Sequence, residues 1–143
     1  MSEDFELINL KMLRAQEVKG SFPVRGAIAT FLFKVMPVDG QTHPKEMERL
    51  TRILVDDFSL TTDEAHYLID HARKQENSAE TLREMANILK QEVEREELLT
   101  LISHMWEIVF ADERMHETEI VFVERVASLL DVKPEEVAEA MNH

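Results

Sequence analysis

The sequence predicts an all-α protein, a single compact bundle of about seven to eight helices that contains an internal duplication. Three observations lead there. Apolar residues recur at helical spacing along almost the whole chain, no segment alternates with the period of a strand, and a helix–turn–helix–turn–helix pattern occurs twice. With 143 residues, 44% apolar and 31% charged, and only 3 Gly and 4 Pro, the chain can enclose one core and carries no linker long enough to divide it.

Each helix is marked by its own apolar stripe and its own start or stop signal. Phe5, Ile8, Met12 and Ala15 define a first helix, and Gly20 with Pro23 separates it from a second that carries Val24, Ala27, Ile28, Phe31, Leu32 and Val35. A third is expected from about His43 to Phe58, with Pro44 in its first turn and Met47, Leu50, Ile53 and Leu54 inward. Thr61-Thr62-Asp63-Glu64 reads as a capping box for a fourth helix burying Ala65, Leu68, Ile69 and Ala72. Ser78 can cap a fifth with Leu82, Met85, Ala86 and Leu89, and the charged run from Gln91 to Glu97, a solvated face, leads into a sixth with Leu98, Ile102, Met105, Trp106 and Val109. The seventh, after Met115, shows Ile120, Val123, Ala127 and Leu130. Pro134 starts a short last helix with Val137 and Met141. Residues 1–24 are expected to form an N-terminal helix packed on a domain spanning 25–143.

Shifting the sequence on itself by 73 residues lays Val38-Asp39-Gly40-Gln41-Thr42-His43-Pro44-Lys45-Glu46 over Ala111-Asp112-Glu113-Arg114-Met115-His116-Glu117-Thr118-Glu119. Arg52 meets Arg125 in that register. After a one-residue gap Phe58, Leu60, Asp63 and Glu64 meet Leu130, Val132, Glu135 and Glu136, so the repeat halves are about 33–65 and 106–137. In both copies an Asp ends an apolar helix and a Glu follows seven residues later in the next helix, so that the carboxylates can converge on an inter-helix corner. Oxygen ligands there suit Ca²⁺, Mg²⁺ or Mn²⁺, and His43 or His116 nearby extends the choice toward Fe²⁺ or Zn²⁺. The same spacing also suits acids that only satisfy free amides at a helix start and interact with the helix dipole.

These residues carry a family resemblance. Val38-Asp39-Gly40 with Glu46, Glu94-Arg95-Glu96-Glu97-Leu98-Leu99, and Trp106-Glu107-Ile108-Val109-Phe110-Ala111-Asp112 with Glu119 resemble the tellurite-resistance protein B (TerB) family. Phe58-Ser59-Leu60-Thr61 with Glu64-Ala65, and Val126-Ala127-Ser128-Leu129-Leu130-Asp131-Val132 with Glu135-Glu136, add to it over about residues 25 to 140. The resemblance implies an all-helical, internally duplicated bacterial cytoplasmic protein associated with tellurite resistance and stress responses. It implies metal binding through acidic motif residues, which fall here on Asp39, Glu46, Asp112 and Glu119. The chain departs from the family pattern where Glu113 replaces the Gly after the second Asp and where Pro37-Val38 precedes the first.

Composition narrows the remaining functions. The absence of Cys excludes disulfides, thiolate metal sites and a Cys nucleophile, leaving oxygen and imidazole as ligands. The acidic start Met1-Ser2-Glu3-Asp4 is unlike a secretory signal, and the most apolar stretch, Ala27 to Val38, is too short to span a bilayer, so cytoplasmic location without membrane insertion is expected. A formal charge of −13 disfavours nucleic acid. Divalent cations, a protein partner or a second copy of the chain are the expected partners. No EF-hand loop, H-E-x-x-H, phosphate loop or nucleophile elbow is present. Glu113 to His116 and Asp63 to His66 fall short of a di-iron carboxylate set. The expectation is therefore a non-enzyme without an organic cofactor, with a possible divalent metal. The alternative is a helical protein–protein interaction scaffold in which the acids are caps and the Met residues with Trp106 offer apolar contacts. His66, His71 and His104, lacking a spaced partner, read as ordinary surface or core residues.

Overall fold

In a computed structural model, described over residues 22–36, 44–111 and 117–142, the chain forms seven α-helices and one π-helix, with no strand among the described residues. They are α1 (Phe22–Lys34), α2 (Pro44–Arg52), the π-helix (Ile53–Asp57), α3 (Thr62–Lys74), α4 (Ala79–Glu92), α5 (Arg95–Ala111), α6 (Glu117–Leu129) and α7 (Pro134–Met141). The helix expected around Phe5 to Ala15 lies outside the described residues.

Local chemistry sets several boundaries. Thr61 accepts from the Glu64 backbone N–H at 3.1 Å while the Glu64 side chain accepts from Thr61 N–H at 2.9 Å, the reciprocal box that opens α3. Ser78 caps α4 through the Thr81 N–H at 3.1 Å. Pro134 opens α7, where its missing N–H leaves no orphan.

The core is organised around α1. Every residue from Val24 to Leu32 is buried, so this helix has no solvated face, and it packs against α3, α4 and α5. Phe31 and Leu32 are wholly enclosed; a side chain of that size contributes roughly 1.5–3 kcal/mol when fully buried. The second half closes the core with α5 against α6 and α7. Trp106 is buried, with its indole N–H donating to Val137 O at 3.2 Å and tying α5 to α7.

The third helix differs from the single α-helix expected to run to Phe58. After Arg52 it widens into a π-helix over Ile53–Asp57. A π-turn encloses one residue more than an α-turn. The repeat register pairs Arg52 with Arg125 but Phe58 with Leu130, so the first half holds one extra residue between them, and the π-helix occupies that interval.

The ends of the two paired helices match in backbone conformation. Val132 N–H donates to Ala127 O at 2.8 Å and Asp131 N–H to Ser128 O at 3.1 Å, a Schellman stop with Asp131 in the left-handed region at φ 60°. In the first half Leu60 N–H donates to Leu54 O at 3.3 Å across Ser59 at φ 55°. The register pairs Leu60 with Val132 and Leu54 with Ala127, so the equivalent bond closes around one additional residue. Ser59 and Asp131 are the non-glycine residues of positive φ among the described residues.

Candidate functional site

Five polar side chains are buried among the described residues: Arg25, Thr30, Glu46, His104 and Glu119. Thr30 bonds back to Gly26 O at 2.7 Å within its own helix. Arg25 lies over the Phe22 ring at 5.8 Å, and its pKa is lowered by burial, opposed by the charge of Glu64. The other three are a carboxylate pair and an imidazole.

Glu46 and Glu119 are the two glutamates the repeat register pairs. Glu46 stands in the first turn of α2 and Glu119 in the first turn of α6, with 0% and 1% of their surface exposed. Other first-turn acids stay in or near water: Asp63, Glu80, Glu96, Glu97, Glu135 and, on α6 itself, Glu117 are exposed, and Glu64 and Glu136 are half-buried. Interaction with helix-terminal amides does not by itself require burial, as these eight illustrate. Sealing a carboxylate from water costs several kcal/mol unless charged or hydrogen-bonding groups surround it, and both glutamates are engaged in such interactions. Asp39, His43, Asp112 and His116, the other expected corner residues, lie outside the described residues.

A second group joins two elements distant in sequence. Asp57 at the end of the π-helix meets His104 and Glu107 of α5, each offering a ligand-type atom within 4.8 Å of the others. His104 Nε2 is 3.7 Å from Asp57 Oδ2, and His104 Nδ1 is 3.1 Å from Glu107 Oε1. Arg49 of α2 approaches the other Glu107 oxygen at 3.7 Å. The His104 side chain is 11% exposed and lies against the Phe58 ring at 5.9 Å, whereas those of Asp57 and Glu107 are 46% and 42% exposed. This corrects the reading of His104 as lacking a spaced partner. Its spacing of three to Glu107 was visible in the sequence, while Asp57 is brought in only by tertiary packing.

Trp106 and the methionines divide between core and surface. Met105 and Met85 are buried, and Met141 is 39% exposed at a groove of about 550 Å³ that Trp106, Ile120, Val132 and Val137 also line. Phe110, 45% exposed, stacks on Trp106 at 5.8 Å.

The all-helical architecture agrees with the comparison to known families. The family model described as Tellurite resistance protein TerB matches residues 25–142, most of the chain. The protein belongs to the TerB family. No curated protein and no solved structure matches it. No helix among the described residues is long and apolar enough to cross a membrane.

Proposed function

We propose that this chain is a non-enzymatic cytoplasmic protein of the TerB family, associated with stress responses, that binds a divalent metal ion at the two inter-helix corners. The observation that carries this reading is the burial of Glu46 and Glu119, the one pair of first-turn acids withdrawn from water among the described residues. Asp39 and Asp112, seven residues before them, are the proposed companion ligands, with His43 and His116 adjoining. Such oxygen-rich corners take Ca²⁺, Mg²⁺ or Mn²⁺, and imidazole brings Zn²⁺ within range. No organic cofactor enters this reading. An excess of acidic over basic residues supports cations or proteins as partners and disfavours nucleic acid.

Calorimetric titration with each of the four ions tests the proposal. Binding by the intact protein that is lost on neutralising Asp39 and Asp112 together, with helicity kept, supports ligation. If no ion binds at millimolar concentration, the corners are helix caps and the interaction-scaffold reading takes over.

A further inference from the structure

We propose that Asp57, His104 and Glu107 form a separate site for a divalent first-row transition-metal ion, of the Zn²⁺ or Co²⁺ class, independent of the acidic corners. The geometry makes the case. Carboxylate oxygens of Asp57 and Glu107 approach both nitrogens of the buried His104 ring, and one ligand-type atom of each residue lies within 4.8 Å of the others. The 3.1 Å contact of Nδ1 with Glu107 Oε1 is of hydrogen-bond length, whereas Nε2 stands 3.7 Å from Asp57 Oδ2, a distance beyond hydrogen bonding. Ligands on a tetrahedral ion at about 2.0–2.2 Å stand about 3.4 Å apart, close to the observed gap.

The surroundings favour a metal over a chance pairing. Imidazole nitrogen with carboxylate oxygen is a donor set for Zn²⁺ and its neighbours. The buried, Phe58-backed ring fixes the nitrogen, and Glu107 either supplies the third ligand or orients the ring as carboxylates do behind metal-bound histidines. The half-exposed Asp57 and Glu107 leave room for water to complete the coordination. Asp57 closes the π-helix, in the interval where the first half is one residue longer than the second. The register pairs His104 with Phe31 and Glu107 with Lys34, so the other half has no counterpart and this site takes a single ion per chain.

The test is titration of the full chain with Co²⁺ at neutral pH, followed by visible absorption and by displacement with Zn²⁺. We expect a saturable change from the aqua-ion spectrum, reversed by Zn²⁺. His104→Gln and Asp57→Asn should each weaken it more than about 100-fold, beyond the roughly 10–100-fold effect of an outer-sphere contact. Glu80→Gln, an exposed first-turn acid of α4 that belongs to neither site, should leave it within about threefold. Asp57 is half-exposed, so its variant keeps the test valid even if His104→Gln fails to fold, which circular dichroism reports. An unaltered aqua-ion spectrum overturns the proposal. Binding that survives Asp57→Asn but disappears with Glu46→Gln/Glu119→Gln also overturns it, while leaving the corner site standing.

Discussion

Substituting glycine at the two left-handed helix stops should stabilise the protein. Ser59 at φ 55° and Asp131 at φ 60° adopt a conformation that costs an L-residue roughly 1–2 kcal/mol. Glycine removes that steric cost but gives the unfolded chain more freedom to lose, about 0.5–1 kcal/mol. The net gain at Ser59 is therefore about 0.5–1 kcal/mol. At Asp131 the gain is smaller by up to about 0.5 kcal/mol, because glycine also removes the 3.3 Å contact with Lys90, an ion pair whose Asp side chain is 73% exposed. Denaturant unfolding of Ser59→Gly, Asp131→Gly and the matching alanine variants measures this. The glycine variants should move the midpoint up at constant m, and Ser59→Gly should raise Tm by about 1–4 °C. Alanine at Ser59 should be less stable than glycine by about 1 kcal/mol. If alanine and glycine behave alike, the left-handed stop is not the source of the effect and the reasoning fails.

Other consequences can be measured on the same footing. Thr61→Ala removes one arm of the α3 capping box and should cost about 1 kcal/mol, read as a lower denaturation midpoint. The carboxyl of Glu136 is held below the usual range by the Lys133 backbone N–H and then by its side-chain bond to Arg95. Its folded pKa is depressed, so its stabilisation is present above the unfolded value and is lost as pH falls through the folded one. Thermal melts of Glu136→Gln should accordingly lie below wild type at neutral pH and converge with it in acid. With 29 acidic against 16 basic residues, the protein should pass through immobilised DNA or RNA at physiological salt, and salt-sensitive retention would contradict the charge argument.

The parts of the fold that sequence revealed are those governed by neighbours along the chain. Thr61, Ser78 and Pro134 announce helix starts because the atoms they satisfy lie within four residues. The one-residue gap in the repeat was equally visible, but a gap can be absorbed by a turn, a bulge or a longer loop, and only the backbone of Ile53–Asp57 identifies it as a π-helix. Burial of charge was hidden for a different reason. A glutamate in a first turn belongs in water by default, and nothing local distinguishes Glu46 from Glu80. The Asp57–His104 contact depends on packing of the π-helix end against α5, which no spacing along the chain encodes.

The corner site is tested most directly by thermal stability with and without Ca²⁺, Mg²⁺ or Mn²⁺, comparing wild type with Glu46→Gln/Glu119→Gln. A ligand bound only by the folded state stabilises by about 2.7 kcal/mol at 100 times its Kd, which raises Tm by about 5–10 °C for a chain of this size. Wild type should show that rise with at least one of the ions, and the double variant, still folded, should show none. Equal shifts in both proteins, or no shift in either, would contradict ion binding by these buried glutamates.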